Sequence, residues 1–297
     1  MPPTETSSFG SKSRESHDAT KFYNSKLYSK LKIKEQKDIL RNSIPENIIN
    51  SIQCADSRDL SFLPDSSVDL VITSPPYNVS KTYDEDLTLN DYLNLISSVM
   101  EEIYRVLVRG GRVCINVANI GRKPYIPLNS YFNILMSDLG YLMRGEIIWN
   151  KSASAGTSTA WGSWKSASNP ILRDVHEYIL VFSKDQFSSP RLDRKNTITK
   201  EDFLETTKSI WNFPTESAKR IGHPAPFPIE LPRRLIELYS FQKDIILDPF
   251  CGSGTTCLSA LQTGRNWIGV EINDEYCNLS RQRIQKELNQ RKLTEFL

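Results

Sequence analysis

The sequence predicts an α/β fold in which a mostly parallel sheet is covered by helices on both faces. Short apolar strands alternate with helical segments from about residue 50 onward, and this alternation is typical of parallel sheets. We expect strands at Ser51–Ala55, Val68–Ile72, Arg112–Val117, Gly145–Trp149, Glu177–Phe182, Ile245–Leu247 and Trp267–Val270. We expect helices at Leu89–Leu107, Tyr131–Leu139, Ile229–Tyr239, Thr255–Gln262 and Asp274–Leu288. A chain of 297 residues is long enough to bury a substantial core around such a sheet.

Two of the predicted strands have no helix between them. Glu146–Lys151 and His176–Phe182 are separated by Ser152–Arg173, which has no clear helical pattern. Strands joined without a crossover helix fit an antiparallel pair at the edge of a sheet. His176, at the start of the second strand, is interpreted as a structural histidine.

Composition and charge are those of an ordinary globular protein. Hydrophobic residues make up 39% and charged residues 24% of the chain. The net charge of +2 is too small to indicate a nucleic-acid partner by itself. Between Lys21 and Arg41 there are seven basic and two acidic residues, which fits either a phosphate-facing patch or a solvated helix face. No apolar stretch approaches the roughly 18 residues that a membrane span requires, and residues 1–20 are expected to be a disordered tail.

The five cysteines are predicted to be free thiols. Cys54, Cys114, Cys251, Cys257 and Cys277 are odd in number, and their spacing matches no zinc or disulfide framework. Free thiols suit the reducing cytoplasm, so a cytoplasmic location is expected. Cys251 is interpreted as a small packing residue rather than a nucleophile.

The first chemical motif is Thr73-Ser74-Pro75-Pro76-Tyr77, which directly follows an apolar strand. The exocyclic amine of a nucleobase is a poor nucleophile because its lone pair is delocalised into the ring. An acceptor side chain and a rigid backbone carbonyl can bind the two amine hydrogens and localise that lone pair, and two prolines fix the backbone. Tyr77 offers a flat face on which an extruded base can stack. An ordinary strand followed by a proline turn is the alternative.

The second motif is a strand, a glycine-rich turn and a helix within Asp244–Thr256. Gly252 and Gly254 allow a tight turn and a close approach of the backbone to a ligand. Glu271 follows Gly252 by 19 residues, at the end of the next strand, where an acidic side chain can bind a ribose diol. The segment lacks the Gly-Lys-Ser/Thr ending of a phosphate-binding loop, which excludes a nucleoside triphosphatase. A tight turn in a Rossmann-like fold is the alternative.

Together the two motifs resemble the amino-methylating DNA methyltransferases that use S-adenosylmethionine. The resemblance extends from about Lys21 to Leu288, and a catalytic motif that precedes the cofactor motif is similar to the β group, a circularly permuted arrangement. Further segments that resemble family motifs are Cys54–Asp56, Arg109–Gly111, Glu146–Lys151, His176–Lys184 and His223–Pro228. The resemblance implies a Rossmann-like class I methyltransferase fold with a seven-stranded sheet, parallel except for one antiparallel strand. It implies one methyltransferase domain over residues 21–297.

The resemblance also implies a set of site residues, with S-adenosylmethionine as the cofactor and no metal. The catalytic residues are Ser74, Pro75, Pro76 and Tyr77. The cofactor-binding residues are Asp56, Thr73, His223, Pro224, Asp248, Pro249, Phe250, Cys251, Gly252, Ser253, Gly254, Thr255, Glu271 and Ile272. Asp56, Ser74, Asp248 and Glu271 each come just after a predicted strand. Ligands in open α/β sheets bind at the carboxyl ends of the strands, so this placement supports the site independently.

Ser74 bears on the choice of target base. In the family, Ser-Pro-Pro-Tyr goes mostly with N4 of cytosine and Asp-Pro-Pro-Tyr mostly with N6 of adenine. A neutral hydroxyl is a weaker acceptor than a carboxylate, but the two amines are similar, so adenine N6 stays open. An RNA or protein methyltransferase and a non-catalytic cofactor-binding subunit are more distant alternatives.

The expected macromolecular partner is double-stranded DNA. Target recognition is assigned to about Lys184–Gly222, and the loop over residues 152–170 is expected to lie beside the flipped base or the DNA backbone. The candidate DNA-binding residues are Lys165, Arg191, Arg194 and Lys195. A homodimer and a cognate restriction endonuclease are further expectations that the resemblance raises.

Overall fold

The chain divides into two compact units, Met1–Gln36 and Lys37–Leu297. The structure is a computed structural model and describes residues 4–5, 17–18, 24–28, 33, 36, 40–77, 87–151, 162–190, 193–216 and 227–295. In the first unit, strand β1 (Thr4–Glu5) pairs in parallel with β2 (His17–Asp18), and Lys26–Tyr28 form a 3₁₀ turn. The remainder of the predicted tail lies outside the described residues.

The second unit is built on an eight-stranded sheet with helices along both faces. Its strands are β3 (Ser51–Cys54), β4 (Val68–Thr73), β5 (Leu107–Val117), β8 (Leu142–Asn150), β9 (His176–Ser183), β10 (Ile210–Asn212), β11 (Ile245–Asp248) and β12 (Asn266–Glu271). A short hairpin pairs β6 (Ile120–Gly121) with β7 (Tyr125–Ile126). The helices are α1 (Leu89–Val106), α2 (Leu128–Asp138), α3 (Lys200–Thr206), α4 (Glu230–Tyr239), α5 (Thr255–Gln262) and α6 (Asp274–Glu295).

The strand order is β10-β8-β9-β5-β4-β11-β12-β3. Strand β9 runs antiparallel to both of its neighbours, β5 and β8, and the other neighbouring pairs are parallel. The predicted mostly parallel sheet with one antiparallel strand is therefore confirmed. All seven predicted strands are present, and β10 adds an eighth strand at the edge, in the segment to which target recognition is assigned. With three residues, of which only Trp211 is buried, β10 is too short to show a strand pattern.

Alternate residues of the central strand β4 reach opposite faces of the sheet. Val71 packs into the core beneath α1 and α2, whereas Leu70 and Ile72 pack into the core beneath α4 and α5. All six residues of β4 are buried, as expected for a central strand with both faces covered.

Helix α1 begins and ends where the local sequence favours a boundary. The Thr88 side chain accepts a hydrogen bond from the amide of Asp91, which is the usual N-cap arrangement. The buried residues of α1, which include Tyr92, Ile96, Val99 and Ile103, recur with the period of an α-helix. The unpredicted helix α3 begins with the same kind of cap, since Thr199 accepts from the amide of Asp202. No helix in the described ranges is long and apolar enough to cross a bilayer.

A buried cluster of charges lies at the start of the central strands and gives Arg194 partners inside the protein. Arg194 Nη1 lies 3.0 Å from both carboxylate oxygens of Asp244 and 3.3 Å from Asp69 Oδ1. Arg41 Nη1 donates to Asp69 over 2.6 Å, and the Arg194 guanidinium stacks 4.2 Å from the ring of Phe241. The two aspartate side chains are only 4% exposed. Burial, and then the charge of Asp69, raises the pKa of Asp244.

These partners favour a structural role for Arg194 over the predicted contact with DNA. Its side chain compensates two buried carboxylates at the amino ends of β4 and β11, the edge of the sheet opposite to the ends where Ser74 and Asp248 lie. The sequence shows that Arg194 lies in a basic segment. It does not show that Asp69 and Asp244, from distant parts of the chain, are buried beside it.

Replacement of Arg194 by Met tests this structural role. Two buried carboxylates would lose a shared counter-ion, so we expect the free energy of unfolding in urea to fall by about 3 kcal/mol, with no change in DNA affinity for the folded fraction. Lys208→Met is the matched control, because Lys208 pairs with Glu205 in an exposed ion pair and its loss should change stability by less than about 1 kcal/mol. A stable Arg194→Met protein with weakened DNA binding would restore the original interpretation.

Candidate functional site

A cavity of about 360 Å³ lies at the carboxyl ends of β3, β4, β11 and β12. Because these strands are parallel, the residues that follow them meet at one edge of the sheet. The predicted site residues that line the cavity are Asp56, Ser74, Pro75, Pro76, Tyr77, Pro249, Phe250, Gly252, Glu271 and Ile272. Helix α1 closes the other side with apolar side chains that include Leu95 and Val99. The two sequence motifs, at residues 73–77 and 244–256, thus share one cavity.

The other described residues that are predicted to bind the cofactor lie behind the cavity wall. Asp248, Cys251, Ser253, Gly254, Thr255 and Thr73 are buried and do not line it. Asp248 Oδ2 accepts from Thr256 Oγ1 over 2.7 Å, and Oδ1 accepts from the amide of Phe250 over 3.1 Å. Asp248 therefore ties the end of β11 to the turn and to α5. His223 and Pro224 lie outside the described residues.

The glycine-rich turn is held from behind by helix α6. Gly254 has φ +74°, a left-handed conformation that favours glycine, and a Cβ there would be tightly packed, 3.1 Å from Cβ of Ser280. Ser280 Oγ donates to the carbonyl of Gly252 over 2.6 Å. The Arg283 guanidinium donates to the carbonyl of Ser253 and contacts Thr255 Oγ1. Sequence reasoning missed Ser280 and Arg283, since their spacing on α6 forms no recognisable motif.

Glu271 presents a carboxylate that is fixed on two sides by backbone amides. Oε2 accepts from the amide of Gly252 and Oε1 from the amide of Asn273, each over 2.9 Å. Burial raises the pKa of Glu271, while the amides of Asn273 and Gly252 act in the opposite direction. The carboxylate is thus a rigid acceptor at the cavity wall rather than a freely rotating side chain.

Asp56 forms a second acidic group on the same wall. Its carboxylate accepts from the Arg58 guanidinium and from the Arg58 amide. The side-chain hydrogen bond from Arg58 lowers the pKa of Asp56, which keeps this carboxyl ionised. Ser57 donates to the carbonyl of Pro249 and so links the end of β3 to the turn after β11. Ser57 and Arg58 were not singled out from the sequence.

Ser74 and Tyr77 form the hydroxyl pair at the other end of the cavity. Ser74 Oγ and the Tyr77 hydroxyl lie 3.0 Å apart, and the Tyr77 hydroxyl donates to the main-chain carbonyl of Asn116 over 3.3 Å. Burial raises the pKa of Tyr77 well above its usual value, and the charge of Glu177 adds to the effect. The phenol therefore stays protonated and serves as a hydrogen-bonding group rather than a base.

The other predicted DNA-binding residues have less defined surroundings. Lys165 is exposed and its ammonium lies 5.6 Å from the centre of the Trp164 ring. Lys195 is exposed, and its carbonyl accepts from the amide of Gln242. Arg191 lies outside the described residues. The His176 ring packs edge-on against Tyr178 at the start of β9, in agreement with a structural role.

The cysteines differ from the prediction at two positions. Cys54 and Cys277 form a disulfide, whereas Cys114, Cys251 and Cys257 are free and buried. The two bonded cysteines are 223 residues apart in sequence, and they meet because the end of β3 lies beside the start of α6. The Cys257 contact and burial raise the pKa of Cys251, so it is a protonated packing residue. The described ranges contain no group of three His, Cys, Asp or Glu side chains arranged to hold a metal ion.

Asp248 should make stability depend on pH. Burial raises its pKa to about 6, against an ordinary 3.8, so the folded protein binds this proton more tightly than the unfolded chain. The contribution is complete below pH 3.8 and is lost as the pH rises through about 6, with a total on the order of 3 kcal/mol. Urea unfolding of wild type and Asp248→Asn at several pH values should show a flatter profile for the variant. Parallel profiles would contradict the raised pKa.

Comparisons with known proteins agree with this geometry. A family of DNA methylases, N6_N4_Mtase, matches residues 68–282. The type II methyltransferase M.MthZI of Methanothermobacter thermautotrophicus is 32% identical over 78% of this chain and 75% of its own length. The DNA adenine methyltransferase YhdJ of Escherichia coli is 29% identical over 76% of this chain and 79% of its own.

The fold is also found in a solved structure. The putative DNA modification methylase TTHA0409 of Thermus thermophilus, in complex with S-adenosyl-L-methionine, superposes with a TM-score of 0.64 at 31% identity, over 80% of this chain and 95% of that chain. This likeness confirms the α/β methyltransferase fold. With a family match over most of the sheet and a relative above 30% identity along most of the chain, the protein belongs to the N6_N4_Mtase family of DNA methylases.

Proposed function

We propose that this chain is a site-specific DNA methyltransferase that methylates the exocyclic N4 amine of a cytosine flipped out of duplex DNA. The observation that carries the proposal is the shared cavity. Ser74 and Tyr77 line the same space as Glu271 and Asp56, so an amine acceptor and a nucleoside-binding wall face one another. Such an arrangement fits a direct transfer between two bound reactants, in which proximity supplies much of the rate.

The cofactor is S-adenosylmethionine, and the cavity wall fits it. Glu271, fixed by two amides, is suited to accept from the ribose hydroxyls. Ile272 leaves 71% of its side chain exposed beside the cavity, and together with Phe250 it offers apolar surface to a purine ring. Asp56 is an ionised acceptor for an exocyclic amine of that ring. When bound, the cofactor supplies an electrophilic methyl group on a sulfonium.

The chain's own catalytic work is to orient the target amine. Ser74 Oγ and the carbonyl of Pro75 accept the two amine hydrogens, which turns the nitrogen lone pair away from the ring system. Tyr77 stays protonated and offers its ring face to the extruded base. With the cofactor bound, these residues would hold the amine nitrogen in line with the carbon–sulfur bond, which would break as the carbon–nitrogen bond forms, and the methylated amine would lose one proton to solvent. Such a direct transfer requires no covalent bond between the enzyme and the base.

Cytosine N4 is favoured over adenine N6 because of Ser74. A hydroxyl in place of a carboxylate matches the Ser-Pro-Pro-Tyr form of the motif. Adenine N6 is the second candidate, and the resemblance to the adenine methyltransferase YhdJ supports it. Product analysis separates the two, since all other features of the site serve either amine.

The remaining assignments rest on motif order and on the relatives. The catalytic pentapeptide at 73–77 precedes the cofactor turn at 248–254, which supports membership of the permuted β group. The name type II methyltransferase, borne by M.MthZI, supports a role in restriction and modification beside a cognate endonuclease. A cytoplasmic location and a homodimer complete the proposal. Target recognition is assigned to residues 184–222, a segment that contains the helix α3 and the edge strand β10.

Nucleoside analysis tests the reaction. Purified protein, labelled S-adenosylmethionine and mixed-sequence duplex DNA are incubated, and the DNA is digested and analysed by mass spectrometry. We expect N4-methylcytosine from the wild type and at least about 100-fold less from Ser74→Ala, which loses the acceptor for the amine. N6-methyladenine would transfer the assignment to adenine. Full activity of Ser74→Ala would remove Ser74 from the mechanism.

Cofactor affinity tests Glu271 separately. Glu271→Gln keeps the shape of the side chain but loses its charge, so we expect the dissociation constant for S-adenosylmethionine to rise by about 10- to 100-fold, as for a lost charged hydrogen bond. Isothermal titration calorimetry measures this without DNA. Glu287→Gln on α6, which breaks only the pair with Arg291, is the matched control and should bind normally. Equal affinities for both variants would contradict the ribose assignment.

A further inference from the structure

A chain of hydrogen bonds leads from Tyr77 to an ion pair between the end of β8 and the start of β9. Lys151 Nζ lies 2.6 Å from Glu177 Oε1, and the other oxygen, Oε2, accepts from Asn116 Nδ2 over 2.6 Å. Asn116 Nδ2 is also 3.4 Å from the Tyr77 hydroxyl, which itself lies 3.0 Å from Ser74 Oγ. Neither Lys151 nor Glu177 lines the cavity. Their side chains are 21% and 15% exposed, and Asn116 is 2% exposed.

The sheet topology explains why these residues meet. Asn116 lies near the carboxyl end of β5, and Lys151 follows the carboxyl end of β8. Strand β9 runs the other way, so its beginning, with Glu177, lies at the same edge of the sheet. The ion pair therefore sits directly behind the hydroxyl pair, although the three segments are far apart in sequence.

The ion pair fixes which end of the Asn116 amide faces it. An ionised carboxylate only accepts hydrogen bonds, so Asn116 must present its NH₂ group to Glu177. Asn116 Oδ1 is consequently buried and accepts no hydrogen bond from the described residues. A reversed amide would place that oxygen against the carboxylate, which the negative charge of Glu177 prevents.

The orientation of Asn116 determines the direction of the hydroxyl hydrogen bonds. With its NH₂ group toward Tyr77, the Asn116 side chain offers that hydroxyl no acceptor, so the single proton of Tyr77 goes to the main-chain carbonyl of Asn116. The Tyr77 oxygen is left to accept, which assigns the donor role in the 3.0 Å contact to Ser74. Ser74 then donates its one proton to Tyr77, and the lone pairs of its Oγ remain to accept one hydrogen of the amine, beside the Pro75 carbonyl that accepts the other.

We propose that Lys151 and Glu177 are positioning residues that hold Asn116, and through it Tyr77, so that Ser74 faces the target amine as an acceptor. The inference rests on the proposed amine methylation and adds to it a determinant outside the two motifs. The charge of the pair, rather than its bulk, is the property that matters, because a neutral partner would tolerate either orientation of the amide.

Steady-state kinetics test the proposal with Glu177→Gln, Lys151→Met and the double variant. In Glu177→Gln, either amide orientation of Asn116 finds a partner, so we expect kcat to fall by about 10- to 100-fold. KM for DNA and the dissociation constant for S-adenosylmethionine should stay near wild type, since neither residue lines the cavity. Because Lys151 acts through Glu177, the double variant should be no slower than Glu177→Gln alone. Glu287→Gln serves as the matched control.

A second readout does not depend on activity. In the wild type, the side-chain amide protons of Asn116 should give one set of NMR signals that exchange slowly with solvent. Glu177→Gln should shift these signals and accelerate their exchange. An unchanged Asn116 signal, or an unchanged kcat in Glu177→Gln, would overturn the inference. Absence of methylated nucleoside from the wild type, with the expected Asn116 response, would reject the proposed function while supporting the orientation of the amide.

Discussion

The site depends on the parallel pairing of β3, β12, β11 and β4. Their registers align Glu271 with Cys54 and Asp248 with Gly269, so the residues that follow each strand emerge side by side. The Glu271 carboxylate, the glycine-rich turn and the Ser74 hydroxyl therefore meet in one cavity. The strand pairing places them there, and no long loop is needed. Parallel strands make this possible because their carboxyl ends share an edge, whereas an antiparallel sheet would divide the same residues between two edges.

Buried polar groups make this edge rigid. Asp248 bonds to Thr256 and Phe250, Glu271 to Gly252 and Asn273, and Ser280 to the Gly252 carbonyl. Each of these groups would be costly to bury without a partner, so their partners fix the backbone of the turn in one conformation. The turn is consequently formed by the protein's own hydrogen bonds, and binding energy need not be spent on ordering it.

The antiparallel strand β9 has a separate role. Because β9 runs in the opposite direction, it begins at the edge where the other strands end. Glu177, near the start of β9, therefore lies at this edge. On the side of the cavity away from Glu271, the sheet thus contributes the Lys151–Glu177 ion pair and the Asn116 amide. Both lie behind Ser74 and Tyr77. The opposite ends of the strands carry charges as well, but two arginines, Arg41 and Arg194, neutralise Asp69 and Asp244 there and serve stability.

The sequence by itself determined the α/β class, seven of the eight strands of the main sheet, the antiparallel strand, and the two motifs that line the cavity. These features are local: strand and helix periods, proline and glycine turns, and residues at strand ends are visible within a few positions. Ten predicted site residues line the cavity for that reason, from Asp56 to Ile272.

Only the tertiary structure decided the pairings between distant residues. Cys54 bonds to Cys277, and Arg194 is paired with two aspartates. Asp248 points inward and supports the glycine-rich turn. Ser280, Arg283 and Glu177 reach the site from distant parts of the chain. The order of strands in the sheet sets such contacts, and no local pattern encodes that order. A side chain's type shows what chemistry it can perform, but its partners across the sheet decide whether it binds a ligand or stabilises the fold.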